Sequence, residues 1–179
     1  MIFKPRLLLI SILLSTPLQA RDILMDDPEP ESQYAEPLET WKEGEVLVPS
    51  KISLNDLQEF KVSAGEARFR YFIERKSLHT DADKVTRFIL LIQSHSGAFN
   101  SSYEGFRCGE RLYKVYAYGG KKDLLATSGT TWLPIPKDES TDYRAALYDD
   151  LICNLSTGKP NSADKVIKAM RSNRHVTAN

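Results

Sequence analysis

Val85-Thr-Arg-Phe-Ile-Leu-Leu-Ile-Gln-Ser94 is the stretch that decides the fold. Every position from Phe88 to Ile92 is apolar, so an extended chain there needs cover on both faces. A strand of that kind belongs in the middle of a sheet. The segments around it read as its half-covered neighbours. Upstream, Ala67-Arg-Phe-Arg-Tyr-Phe-Ile-Glu74 alternates, with Ala67, Phe69, Tyr71 and Ile73 on one face and Arg68 and Arg70 on the other. Downstream, Ser101–Cys108 and Leu112–Tyr118 flank the polar turn Gly109-Glu-Arg111, the pattern of an antiparallel hairpin. Leu124–Thr127 and Thr131–Ile135 follow as weaker strands, and Pro134 and Pro136 make the last one an edge. Ahead of them all, Ser53-Leu-Asn-Asp56 has the form of a capping box. It predicts a short helical turn with Leu57 and Phe60 on its apolar side.

After Ser140-Thr-Asp142 the period changes from two to nearly four. Tyr143, Ala146, Leu147, Asp150 and Leu151 share one helical face, with Thr141 as the cap and Asp142 in the first turn. Cys153 falls on the flank of that face. Ser162 starts a second, shorter helix through Arg171, with Val166, Ala169 and Met170 as its apolar side. The expected fold class is α+β: one antiparallel sheet of about five to six strands, with the late helices packed on one face and one disulfide.

Charge divides the chain further. The total is neutral, 24 basic against 24 acidic residues. Residues 21–50 hold nine acidic and two basic residues, a net of −7, punctuated by Pro28, Pro30 and Pro37. Such composition cannot bury enough apolar surface to offset its ordering entropy, so it predicts a flexible arm. Residues 51–179 hold 20 basic and 15 acidic residues, a net of +5, and form the single folded domain. The plain expectation is a solvated mixed-charge surface. The sharper one is that the arm folds back on a basic face and competes with an anionic ligand. Nothing in the composition points to nucleic acid.

Residues 1–20 read as a signal peptide. Lys4 and Arg6 precede the short apolar run Leu7-Leu-Leu-Ile-Ser-Ile-Leu-Leu14, and small Ala20 offers a cleavage point. The run is well short of the ~20 residues of a spanning helix, and no second run follows, so no transmembrane segment is expected in the mature chain. The expected location is the periplasm. Cys108 and Cys153, the only cysteines, agree with an oxidising compartment and predict one structural disulfide. Closing such a loop stabilises by roughly 2–4 kcal/mol. The alternative, a catalytic thiolate, needs a basic neighbour, and only three His exist.

Chemistry concentrates in Asn100-Ser-Ser-Tyr-Glu-Gly-Phe-Arg-Cys108. If Cys108 faces the helix, alternation turns Phe106, Glu104 and Ser102 the same way. A carboxylate on that face needs a partner, and Arg87 on the neighbouring strand is the candidate. Glu104 then either fixes strand register as half of a buried pair or lines a pocket. On the opposite face, Tyr103 and Arg107 form an anion-facing surface. Lys114, Tyr116, Tyr118, Lys121 and Lys122 interleave aromatic and basic side chains, a pattern that either stacks on a polymer or is simply a two-sided strand with a solvated turn. Trp132 completes the candidate binding set of Tyr103, Arg107, Lys114, Tyr116 and Trp132. His79, His95 and His175 lack metal-ligand spacing, no phosphate loop is present, and no cofactor is implied.

From Glu74 to Asn154 the chain resembles the CNP-one-like family of exported proteobacterial proteins. The residues that carry the resemblance are Ser77, Val85-Thr-Arg-Phe88, Ser96-Gly-Ala-Phe-Asn100, Tyr103-Glu-Gly-Phe-Arg-Cys108, Tyr116-Ala-Tyr-Gly119, Trp132 and Leu147–Cys153. The family tends to carry a Trp where this chain has Leu124 and Leu125. The resemblance implies export and the Cys108–Cys153 pairing, and it supplies no mechanism. Two functions follow as expectations. One is a non-catalytic binding or interaction module acting on an envelope protein or an anionic envelope polymer. The other is a small envelope hydrolase with Glu104 as general acid/base and Arg87 or Arg107 holding an anion.

Overall fold

The computed structural model describes residues 40–61, 69–137 and 142–172. The signal-peptide reading of residues 1–20, the arm up to residue 39, strand residues 67–68 and the capping role of Thr141 lie outside them. Val85–Ser94 forms the long strand β4, and its first seven residues are all buried. Around it runs one antiparallel sheet: β1 (Leu57–Phe60), β2 (Phe69–Glu74), β4, β5 (Phe99–Arg107), β6 (Leu112–Gly119) and β7 (Leu124–Ala126) in that order. β3 (His79–Thr80) pairs with β4, and β8 (Leu133–Pro134) pairs with β6. The sheet therefore has eight strands rather than the expected five or six. The additions are β1 and β3, both too short to show a period. Leu57 and Phe60 belong to β1 rather than to a helical face, because the turn at Leu54–Asp56 ends after three residues.

Each face of the sheet has its own core. Phe60, Ile73, Phe88, Leu90 and Phe106 meet both helices through Ala146, Leu147, Leu151, Val166 and Met170. The first helix, α1 (Tyr143–Ala146), widens into a π-helical turn over Leu147–Ile152, and the second is α2 (Ala163–Arg171). Asp142 caps α1, accepting the Arg144 N–H at 2.7 Å. Ser162 caps α2 as expected. Between the helices a small hairpin pairs β9 (Cys153–Asn154) with β10 (Lys159–Pro160). Cys153 bonds to Cys108 at the end of β5, across 45 residues of sequence, and neither cysteine is free.

The second core lies on the other face. Ile89, Leu91, Tyr103, Tyr116, Ala117 and Leu124 are covered there by Ile52, Val46 and Val48. Thr40–Ser50, which the composition assigns to a flexible arm, thus lies along the sheet as a strap. Its end is fastened by Leu124 N–H to Ser50 O at 3.1 Å and Ile52 N–H to Lys122 O at 2.9 Å. A bulge sets what this face presents. The β5–β6 register slips between Tyr103, opposite Ala117, and Glu104, opposite Val115, which leaves Tyr116 as the extra residue. Tyr116 and Ala117 consequently both join the second core.

Candidate functional site

Glu104 sits on the helix side of β5 with no exposure to solvent. Its partner is Arg144 of α1, not Arg87: Arg144 Nε donates to Oε2 at 2.8 Å and Nη2 to Oε1 at 2.9 Å. Ser102 and Tyr143 hydroxyls add bonds to Oε1 at 2.6 and 3.2 Å. Burial and the Glu104 charge push the Tyr143 phenol far above its ordinary value. Burial alone would lower the Arg144 guanidinium, and its bonds to Glu104 more than reverse that. Glu104 is spent on four donors inside the core, and it lines neither groove described below.

Arg87 points to the opposite face because of register. It stands across from Gly105, while Phe88 stands across from Glu104. Its side chain is 1% exposed and bonds to Asp81 at 2.5 Å and to Asp83 at 2.7 and 3.1 Å. Asp83 is held below its ordinary range by Arg87 and by the N–H groups of Gly44 and Val85, against the effect of burial. The charge of Arg87 is therefore already matched.

The expected binding residues do converge on this face, and the strap completes their surroundings. Arg107 lies over the Trp41 ring at 3.6 Å and near Trp132 at 5.5 Å, while the two indoles meet edge-on at 5.7 Å. Arg107 also pairs with Glu110. Lys114 sits 5.2 Å from the Tyr116 ring and 6.0 Å from Trp132. Both Lys114 Nζ and Tyr116 OH donate to the Glu43 carboxylate at 2.7 Å, and Arg87 approaches it at 3.9 Å. Burial would raise Glu43, but those bonds hold it below its ordinary value. The Trp41 indole N–H donates to Asp83 O at 2.8 Å. Tyr103 is the exception in the expected set. It is buried beside Tyr116 at 5.7 Å, with its phenol pushed up to about 12 by burial, and presents nothing outward.

Composition hid Trp41 and Glu43, because they fall in the acidic stretch. The alternation of Val46 and Val48 just after them was the available sign that this part of the stretch packs.

Beside Trp41 and Arg107 opens a groove of about 600 Å³ between the β3–β4 turn, the β5–β6 turn and the β9–β10 hairpin. Trp41, Cys108, Gly109, Gly158 and Pro160 give it apolar walls, and Lys84 and Lys159 stand among its lining. A second hollow of about 470 Å³ runs along Arg75, Lys76, Lys168 and Arg171. Among the described residues no group of three His, Cys, Asp or Glu is placed to hold a metal ion. No described helix is long and apolar enough to cross a membrane.

A family model matches residues 36–171, which takes in the strap, the sheet, the disulfide and both helices. The chain belongs to the CNP1-like family. No curated protein and no solved structure matches it. The segment Tyr103-Glu-Gly-Phe-Arg-Cys108, on which the resemblance chiefly rested, now has a physical reading residue by residue. Tyr103 fills the second core, Glu104 holds α1, and Phe106 packs edge-on against Phe88 at 5.1 Å. Arg107 lies against two indoles and Cys108 closes the disulfide. Gly105 must lack a side chain, since a Cβ there would lie 2.8 Å from Val85 and 2.9 Å from Tyr116. In the other segment shared with the CNP1-like family, Tyr116-Ala-Tyr-Gly119, the glycine is needed because a Cβ would lie 1.9 Å from Asp123 O.

Proposed function

We propose that this member of the CNP1-like family is an exported, periplasmic binding module of the cell envelope, with no catalysis of its own. The observation that carries the reading is the placement of the two candidate machineries. Glu104 is sealed from solvent with its oxygens occupied by four donors, whereas Trp41 and Arg107 line an open groove, with Trp132 against both of them. An acid/base residue must reach the proton it moves, and Glu104 reaches only protein. A concave surface with apolar walls and few polar groups is the ordinary form of a binding site. The basic leader followed by a short apolar run supports export, and the disulfide fits an oxidising compartment.

The test uses the full chain in cells. A photo-cross-linking side chain is introduced in place of exposed Lys84 in the groove lining, and separately in place of exposed Leu125 on β7. The expected result is a discrete cross-linked species from position 84 and none from position 125, in the fraction released by osmotic shock. Retention in the cytoplasm, or no species from position 84, would refute the proposal.

A further inference from the structure

On the reading that this side of the sheet is a binding face, we infer that the groove beside Trp41 takes an extended acidic polypeptide segment carrying an apolar side chain. Charge complementarity gives the first half of the argument. Two carboxylates line the groove, and both are already engaged. Asp83 is taken by Arg87 and by the N–H groups of Gly44 and Val85, and Glu110 by Arg107. Lys84 and Lys159 are exposed and form no ion pair among the described residues. Arg87 is shared between Asp83 and Asp81, but the lining itself carries three cations, Lys84, Arg107 and Lys159, against the two carboxylates, and the two lysines without such a pair come from separate hairpins. Each lysine is held by its backbone: Lys84 N–H bonds to Asp81 O at 3.0 Å, and Lys159 pairs across β9–β10 with Asn154.

The walls give the second half. The lining that holds the two lysines also holds Trp41, Cys108 of the disulfide and Pro160, surfaces that suit an apolar side chain. Gly109 and Gly158 bring their hairpins close, so that a Cβ on Gly158 would meet Gly109 Cα at 3.7 Å. Those lining positions carry no side chains, and a ligand backbone can approach them. A volume of about 600 Å³ exceeds what one carboxylate or phosphate fills and suits a few residues of peptide. A polyanionic polysaccharide would instead favour a continuous track of cations, and here two lysines without an ion pair among the described residues share the lining with apolar residues.

The chain carries its own reporter. It has two tryptophans, one lining the groove and the other 5.7 Å from it. The experiment titrates the intact protein with a short peptide alternating glutamate and phenylalanine and follows tryptophan emission, to which phenylalanine adds nothing. A saturable change is expected with the wild-type protein. The double variant K84E/K159E, which breaks no ion pair among the described residues, should keep its melting temperature and bind at least about fivefold more weakly. If the double variant melts early, the single variant K159E replaces it. Matching peptides with lysine for glutamate, or with serine for phenylalanine, should bind more weakly than the original. The inference is overturned if the original peptide gives no saturable change or if the charge reversals leave its affinity intact. It is overturned too if the lysine or serine peptide binds equally well, or if dextran sulfate competes with the same dependence on Lys84 and Lys159. A partner cross-linked at position 84 through a non-acidic segment would overturn only the acidic-segment inference. No partner at that position would overturn the binding reading itself.

Discussion

Replacing Glu104 with glutamine separates a structural carboxylate from a chemical one. The side chain is wholly buried, and its partner Arg144 keeps only 18% of its own side chain exposed. Glutamine matches the shape but removes the charge, and its amide N–H₂ faces the Arg144 donors where an acceptor stood. Leaving one member of a buried pair uncompensated costs about 3–5 kcal/mol. Near the lower end, for a domain of this size, that lowers Tm by roughly 10 °C. Thermal unfolding followed by circular dichroism on E104Q, R144M and the double variant E104Q/R144M closes a cycle. The double variant should be clearly more stable than the sum of the two single losses predicts, because neither charge is then stranded. A Tm for E104Q within about 1 °C of wild type would refute the reasoning, as would additive losses in the double variant. The same measurement bears on function, since E104Q should change stability and leave the binding of the acidic peptide unaltered.

Three other outcomes follow from the packing and the charges. Gly105→Ala forces a methyl group into Val85 and Tyr116, and should cost about 1–3 kcal/mol in chemical denaturation. Serine at both Cys108 and Cys153 reopens a loop of 45 residues, and should lower the unfolding free energy by about 2–5 kcal/mol, reproduced in the wild type by reductant. Glu43 and Asp83 are both held below their ordinary values, so each contributes stability that is complete above its unfolded value. That contribution is lost as pH falls through the folded values. Stability measured in steps should therefore drop below pH 4.5, where Glu43 ordinarily titrates, and further below 3.8, where Asp83 does. E43Q should differ from wild type above pH 4.5 and converge with it at lower pH.

Where local pattern carried the information, the sequence was legible. β4 spans the residues its apolar run predicts, the hairpin of β5 and β6 turns at the expected polar residues, and α2 begins after Ser162 and ends at Arg171. The candidate site was only half legible, for two reasons. First, Arg87 and Phe88 are adjacent, and a single step of register decides which of them shares a face with Glu104. Proximity in the sheet made Arg87 a reasonable partner, and the pleat put it on the other side. Second, the partners of Trp41 and Glu43 lie far along the chain: Asp83 is 42 residues from Trp41, and Lys114 is 71 residues from Glu43. Acidic residues and prolines describe that stretch as an arm when it is read alone. Only the folded sheet shows that Val46, Val48 and Ile52 have a surface to cover.

The strap also fixes an order of events during biosynthesis. A polypeptide is made from its amino end, so Trp41 and Glu43 exist well before Lys114 and Tyr116, the residues that receive Glu43. Until β6 has been made, the second core lacks Tyr116 and Ala117, and the strap that covers Ile89, Leu91 and Tyr103 lacks the wall that receives Glu43. Adjacent hairpins close early, whereas contacts across seventy residues close late. Nascent chains halted before Lys114 should consequently be the form most sensitive to protease and most dependent on a holding chaperone. Release from that state should begin once β6 and the residues up to Leu124 have been made, and be complete only when α1 and α2 cover the other face of the sheet.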